Sequence, residues 1–70
     1  MAQYFICGGS DSYWADTSAK TLIGAKRIAT NTYQISVGSK IEVAEIIGTG
    51  DQARYETIAV KHGYDAWQTA

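Results

Sequence analysis

Apolar residues recur at two different spacings along this chain, and glycines separate the segments. Segment 21–31 has the spacing of an amphipathic helix, with Thr21 as a good N-cap residue. The side chains predicted to share its inner face are Leu22, Ala25, Ile28, Ala29 and Thr32. Since no other segment has clear helical spacing, the pattern predicts a single helix.

The remaining segments have the composition and the alternation of short strands. Segment 3–7 is apolar and aromatic, and segment 13–15 returns after a glycine-rich break at 8–12, which predicts a first hairpin. Segment 40–45 alternates apolar and polar residues as a half-buried strand does. Ile46 and Ile47 interrupt that alternation, which predicts a bulge or a strand end there.

Segments 54–61 and 64–69 predict a last hairpin joined by His62 and Gly63 as a two-residue turn. This turn would place Lys61 opposite Tyr64 and would fix which face each side chain occupies. One face would be apolar and packed against the helix, with Ile58, Val60, Trp67, Ile41 and Val43. The other would be open, with Tyr55, Thr57, Ala59, Lys61, Tyr64, Ala66, Gln68, Lys40, Glu42 and Ala44. The sequence therefore predicts one α+β domain, 1–70, with a single helix packed on a four- to five-stranded antiparallel sheet.

Charge, cysteine content and apolar run length limit the classes of function that the chain can have. The chain has six basic and seven acidic residues, so it has almost no net charge to attract nucleic acid. One cysteine and one histidine supply neither an intramolecular disulfide nor the four ligands of a structural zinc ion. The chain starts at a methionine without a signal-like apolar segment and has no run long enough to cross a bilayer, so we expect a cytoplasmic protein.

Catalytic patterns have little support in the sequence. His62 falls in a predicted turn, and Cys7 falls in a predicted strand, where a buried inert thiol is usual. Gly8-Gly9-Ser10 has neither the lysine nor the helix start of a phosphate-binding loop, and the acidic residues are scattered singly. We therefore expect a binding protein rather than an enzyme, with no cofactor and no metal.

Two surfaces are candidates for binding. One is the outer face of the helix, where Ile23, Lys26 and Arg27 cluster; Ile23 would either be covered by the first hairpin or form the apolar centre of a basic patch. The other is the open sheet face. Its candidate contact residues are Tyr55, Lys61, Tyr64 and Gln68. Tyrosines beside small residues are typical of protein interfaces, although an ordinary solvated face would have a similar composition.

Segment 21–29, Thr-Leu-Ile-Gly-Ala-Lys-Arg-Ile-Ala, is followed by a strand, a glycine turn, a second strand with Ile58-Ala59-Val60-Lys61, a tight turn and Trp67. Over roughly two thirds of its length the chain thereby resembles small phage and prophage anti-CRISPR proteins of the type I-F inhibitor kind. The resemblance implies one helix on an antiparallel sheet and a monomeric protein in the host cytoplasm. It also implies stoichiometric binding to subunits of a type I CRISPR surveillance complex (Cascade), which blocks pairing of target DNA with the guide RNA. Lys26 and Arg27 would be contact residues, joined by polar residues of the last hairpin, and direct contact with nucleic acid would be secondary.

Two other functions remain open at this point. The chain could be a nucleic-acid-binding module whose open-face tyrosines stack on bases while Lys40 and Lys61 contact phosphate. It could also be a structural or assembly protein that oligomerises through a sheet edge.

Overall fold

A computed structural model describes residues 3–8 and 13–70. The chain forms β1 (Tyr4–Gly8), β2 (Ala15–Asp16), α1 (Leu22–Thr32), β3 (Lys40–Ile47), a 3₁₀ turn (Gly50–Gln52), β4 (Arg54–His62) and β5 (Gln68–Thr69). The five strands make one antiparallel sheet in the order β2-β1-β3-β4-β5. This confirms the predicted α+β arrangement and the pairing of the first hairpin. Gly8, the first residue of the predicted break at 8–12, is the last residue of β1, and 9–12 lie outside the described residues.

Helix α1 begins where the sequence predicts. The Thr21 hydroxyl accepts a hydrogen bond from the Gly24 N–H at 3.1 Å, which satisfies one of the free donors of the first turn. The helix ends at Thr32, one residue later than predicted, and the Tyr33 N–H closes the last turn on the Ala29 carbonyl at 3.0 Å. Thr32 is exposed, so the apolar face ends a turn before the helix does.

The core lies between α1 and strands β1 and β3. It is built from small and β-branched side chains, which let the helix approach the sheet closely. The fully buried members are Ile6, Ala25, Ala29, Ile41, Val43 and Ala59, and Leu22, Ile28, Ile58 and Trp67 are among the partly buried residues packed around them. The predicted inner face of the helix, apart from Thr32, is therefore confirmed.

A β-bulge in β4 changes which residues face the helix. Val43 pairs with Ala59 and Ala44 pairs with Thr57, so Ile58 is an extra residue in β4. Of the two alternatives predicted at Ile46 and Ile47, the strand end is confirmed, because β3 ends at Ile47, and the bulge is wrong, because both residues pair regularly with β4. The interruption lies on the partner strand instead.

The bulge reverses the predicted sides of three residues, Ala59, Val60 and Lys61. Residues directly opposite each other in an antiparallel pair have their side chains on one face. Ala59, opposite the buried Val43, therefore belongs to the core, whereas Val60, opposite Glu42, lies on the helix-free face. Ile58 and Trp67 pack on the helix side as predicted.

The predicted register of the last hairpin is also wrong. Val60 pairs with Gln68, not with Asp65, because a longer segment connects β4 to β5. The Asp65 N–H donates to the His62 carbonyl at 2.9 Å, and Gly63 has the positive φ, 54°, that the turn pattern requires. The Gly63 N–H is held by the Ser39 carbonyl at 2.8 Å, which anchors the turn to the preceding loop instead of letting β5 return at once.

Candidate functional site

The exposed side of α1 carries a compact patch of three residues, Ile23, Lys26 and Arg27, called the helix patch below. Ile23 is 71% exposed, so the first hairpin does not cover it. Arg27 follows one turn later on the same side of the helix and is exposed, and Lys26 lies beside it. The helix patch therefore has an accessible apolar centre with two cations next to it.

Trp67 supports one side of the helix patch. Its ring lies 5.8 Å from the Lys26 ammonium nitrogen, within the range of a cation–π interaction. Trp67 is itself partly buried against the core, so it provides a fixed platform for the lysine. This contact joins the last hairpin to the helix and restricts where the Lys26 charge can lie.

Charge is unevenly distributed around the molecule. Residues 20–32 contain Lys20, Lys26 and Arg27 and no acidic residue, giving this segment a net charge of +3. The rest of the chain has a net charge of −4. The near-neutral total thus hides a basic segment around the helix on an otherwise acidic chain.

The helix-free face has its own packing, centred on an aromatic cluster of Phe5, Trp14 and Tyr55. The Tyr55 ring stacks on Trp14 with centroids 5.6 Å apart and meets Phe5 edge-on at 5.1 Å. Ala44 lies between β1 and β4 on this face and is fully buried although no helix covers it. The aromatic cluster thus acts as a small second core, and Tyr55 stays 46% exposed at its margin.

The four candidate residues outside the helix do not form one patch. Lys61 is opposite Ile41 on the helix side, and its ammonium group donates to the Asp65 carbonyl. Tyr64 lies at the end of the sheet, 70% exposed, with its hydroxyl donating to the Ile35 carbonyl at 3.2 Å. Only Gln68 and Tyr55 share the helix-free face, because the bulge and the longer turn move the other two away.

The sequence pattern does not identify two surface residues of the helix-free face, Trp14 and Ile46. Ile46 is opposite Tyr55 and 42% exposed. The consecutive apolar residues at 46 and 47 do indicate that one of them faces away from the core, and the same pattern predicts the bulge or strand end there. Trp14 carried no such signal, because its stacking on Tyr55 joins segments far apart in the sequence.

An open depression of about 350 Å³ lies between the loop at Val37–Ser39 and the turn at His62–Asp65. Within residues 3–8 and 13–70, no group of three or more histidine, cysteine or acidic side chains is arranged to hold a metal ion. In the same part of the chain, no helix has the length and apolar character needed to cross a membrane.

Comparison of the chain with models of protein families, with curated proteins and with solved structures found no match in any of the three.

Proposed function

We propose that this chain is a phage-encoded, non-enzymatic inhibitor that binds a type I CRISPR surveillance complex and blocks pairing of target DNA with the guide RNA. The observation that carries the proposal is the exposure of the helix patch. Within the segment that resembles type I-F inhibitors, Ala25 and Ala29 are buried and serve the fold, whereas Ile23 and Arg27 are exposed and Lys26 is half-buried beside Trp67. The resemblance therefore includes surface residues as well as core residues.

The chemistry of the helix patch suits a protein partner with an acidic rim around an apolar contact. Burial of the exposed Ile23 side chain would contribute about 1–2 kcal/mol to binding. Arg27 and Lys26 would add directed, charge-assisted hydrogen bonds to carboxylates. An apolar centre surrounded by polar groups is the usual organisation of a binding hot spot.

The charge distribution supports a mechanism of obstruction. Guide and target strands pair in a positively charged channel, and a compact protein lodged in part of it stops the heteroduplex from extending. With the basic helix against a protein subunit, the remaining surface, of net charge −4, would face this channel. Exposed acidic residues such as Asp51 and Asp65 are then available to pair with its lysines. No chemical step is required, so inhibition would be stoichiometric in the bacterial cytoplasm.

The base-stacking alternative has weaker support. It requires free aromatic faces and nearby cations on the helix-free side of the sheet. There the Tyr55 ring is already stacked on Trp14, and Phe5 is 8% exposed. Two acidic side chains, Glu42 and Asp16, lie on this helix-free face, whereas Lys61 lies on the helix side and cannot contact phosphate there.

The proposal is tested by adding tagged protein to purified type I surveillance complex, with and without nuclease, and by measuring strand pairing on labelled target DNA. We expect nuclease-resistant recovery of complex subunits and loss of pairing at one equivalent or a few equivalents of protein. Ile23→Ala should weaken binding roughly tenfold, since it removes most of the buried apolar contact. The pair Lys26→Glu/Arg27→Glu should weaken it further.

The single variant Arg27→Glu has Lys40→Glu as its matched control, because Lys40→Glu makes the same charge change on the helix-free face. We expect it to leave recovery and inhibition unchanged. If Lys40→Glu abolished binding while Arg27→Glu did not, the helix patch would not be the contact surface. Recovery of nucleic acid alone, sensitive to nuclease and to Lys40→Glu, would replace the proposal with the nucleic-acid-binding function.

A further inference from the structure

The outer edge of β4 is paired over only part of its length. β5 pairs with β4 at Ala59 and Val60, and the Ala70 N–H donates to the Ile58 carbonyl at 3.2 Å. Within the described part of the chain, no strand pairs with residues 54–57 on this side, between that contact and the 3₁₀ turn. Such an edge presents backbone N–H and C=O groups that can receive another strand.

The side chains of this open edge are complementary to themselves. Arg54 and Glu56 point to the helix side of the sheet, with Tyr55 between them on the other face. Proteins commonly protect open edges with like charges, which repel a second copy. The triplet Arg-Tyr-Glu does the opposite, because an antiparallel copy of it places each charge opposite its counterpart.

A second observation is the charge repulsion beside Glu56. This residue is directly opposite Glu45 of β3, so two carboxylates occupy neighbouring positions on one face. Like charges directly across an antiparallel pair are destabilising. Arg54, the nearest cation in β4, is opposite Ile47 in the next row of that face. A positive group arriving on the open side of β4 would relieve the repulsion between Glu45 and Glu56.

We propose that the β4 edge is a self-association site, where two copies pair antiparallel about a two-fold axis at Tyr55. In this register Arg54 of each copy lies opposite Glu56 of the other, and each incoming arginine also lies in the row of the Glu45–Glu56 pair. The Tyr55 ring leans inward onto Phe5 and Trp14, so it leaves the edge accessible.

The extent of pairing is limited at both ends. The contact of Ala70 with Ile58 stops it at Thr57, and the 3₁₀ turn stops it at Ala53. Because the two edges are identical, the contact closes as a symmetric dimer and does not propagate into a fibre. An interface of this size is small, so we expect reversible dimerisation that increases with concentration. The site is independent of the helix patch and goes beyond the function proposed above.

Sedimentation velocity of the purified full chain from micromolar to millimolar concentration tests the proposal without any target complex. We expect a reversible monomer–dimer equilibrium that weakens at 1 M salt, since the ion pairs lie at the surface. Arg54→Glu and Glu56→Arg should each raise the dimer Kd roughly tenfold, because each replaces two attractive pairs with two repulsive ones. Lys40→Glu, on β3 and away from this edge, should leave Kd unchanged.

The decisive measurement is sedimentation of a mixture of the two single variants. Arg54→Glu has two acidic groups on its edge and Glu56→Arg has two basic groups, so each repels itself but complements the other. An equimolar mixture should form a heterodimer with a Kd within a few-fold of the unmodified protein. Glu56→Arg also removes the repulsion with Glu45, so its melting temperature should not fall, which excludes unfolding as the cause of lost dimer. Monomer at every concentration, or a mixture that stays monomeric, would overturn the proposal whatever the outcome for the CRISPR target.

Discussion

Val43→Ala gives the most direct test of the core described here. Val43 is fully buried at the centre of the sheet, opposite Ala59 and in the cluster that includes Ala25 and Ala29. Removing two methyl-sized groups loses about 1.6 kcal/mol of transfer free energy. Alanine neighbours have no side-chain freedom to close the gap, so a residual cavity adds roughly 1 kcal/mol. We expect the free energy of unfolding to fall by about 2.5 kcal/mol.

For a 70-residue domain this loss is large, because total stabilities run at roughly 4–10 kcal/mol for such a length. Urea unfolding followed by circular dichroism measures it, and the melting temperature should drop by roughly 10–20 °C. Val37→Ala is the matched control: Val37 is 90% exposed, so the same chemical change should cost less than about 0.5 kcal/mol. If the two variants had equal stability, with unchanged urea dependence, the assignment of Val43 to the centre of the core would be refuted.

Two further predictions concern the backbone and the helix start. Gly48→Ala places a Cβ 2.6 Å from the Gln52 carbonyl oxygen at a φ of 84°, whereas Gly38→Ala has a similar φ of 87° in open space. We expect Gly38→Ala to cost about 1 kcal/mol in urea unfolding and Gly48→Ala clearly more; equal costs would contradict the close contact. Thr21→Ala should cost about 1 kcal/mol through loss of the cap on Gly24, and Thr21→Ser should recover most of it. A serine variant as unstable as the alanine variant would show that capping is not the cause.

Local patterns predicted the elements but not the pairing of β4. The helix follows from Thr21 and from apolar spacing, both of which act within a few residues. The face that each β4 side chain occupies depends on whether Ile58 is bulged, and that depends on the pairing of β3 with β4. The run Ile58-Ala59-Val60 does interrupt the alternation of β4, and this was the available signal that one residue is bulged out.

The candidate site shows the same difference between residues grouped by local spacing and residues grouped by strand pairing. Ile23, Lys26 and Arg27 stay together because helical spacing alone brings them together. Lys61 and Tyr64 separate from Tyr55 because their placement required the hairpin register, and an odd shift in register moves side chains to the opposite face. Residues grouped by periodicity within one element were thus located correctly, and those grouped across a turn were not.

The two tryptophans give this small protein a built-in optical readout on each side of the sheet. Trp14 is stacked on Tyr55 on the helix-free face, and Trp67 lies beneath the Lys26 ammonium group on the helix side. A ligand that draws Lys26 away changes the field at the Trp67 indole and shifts its emission, while Trp14 keeps its surroundings. Versions retaining a single tryptophan would therefore distinguish the two faces by fluorescence alone, without any attached dye.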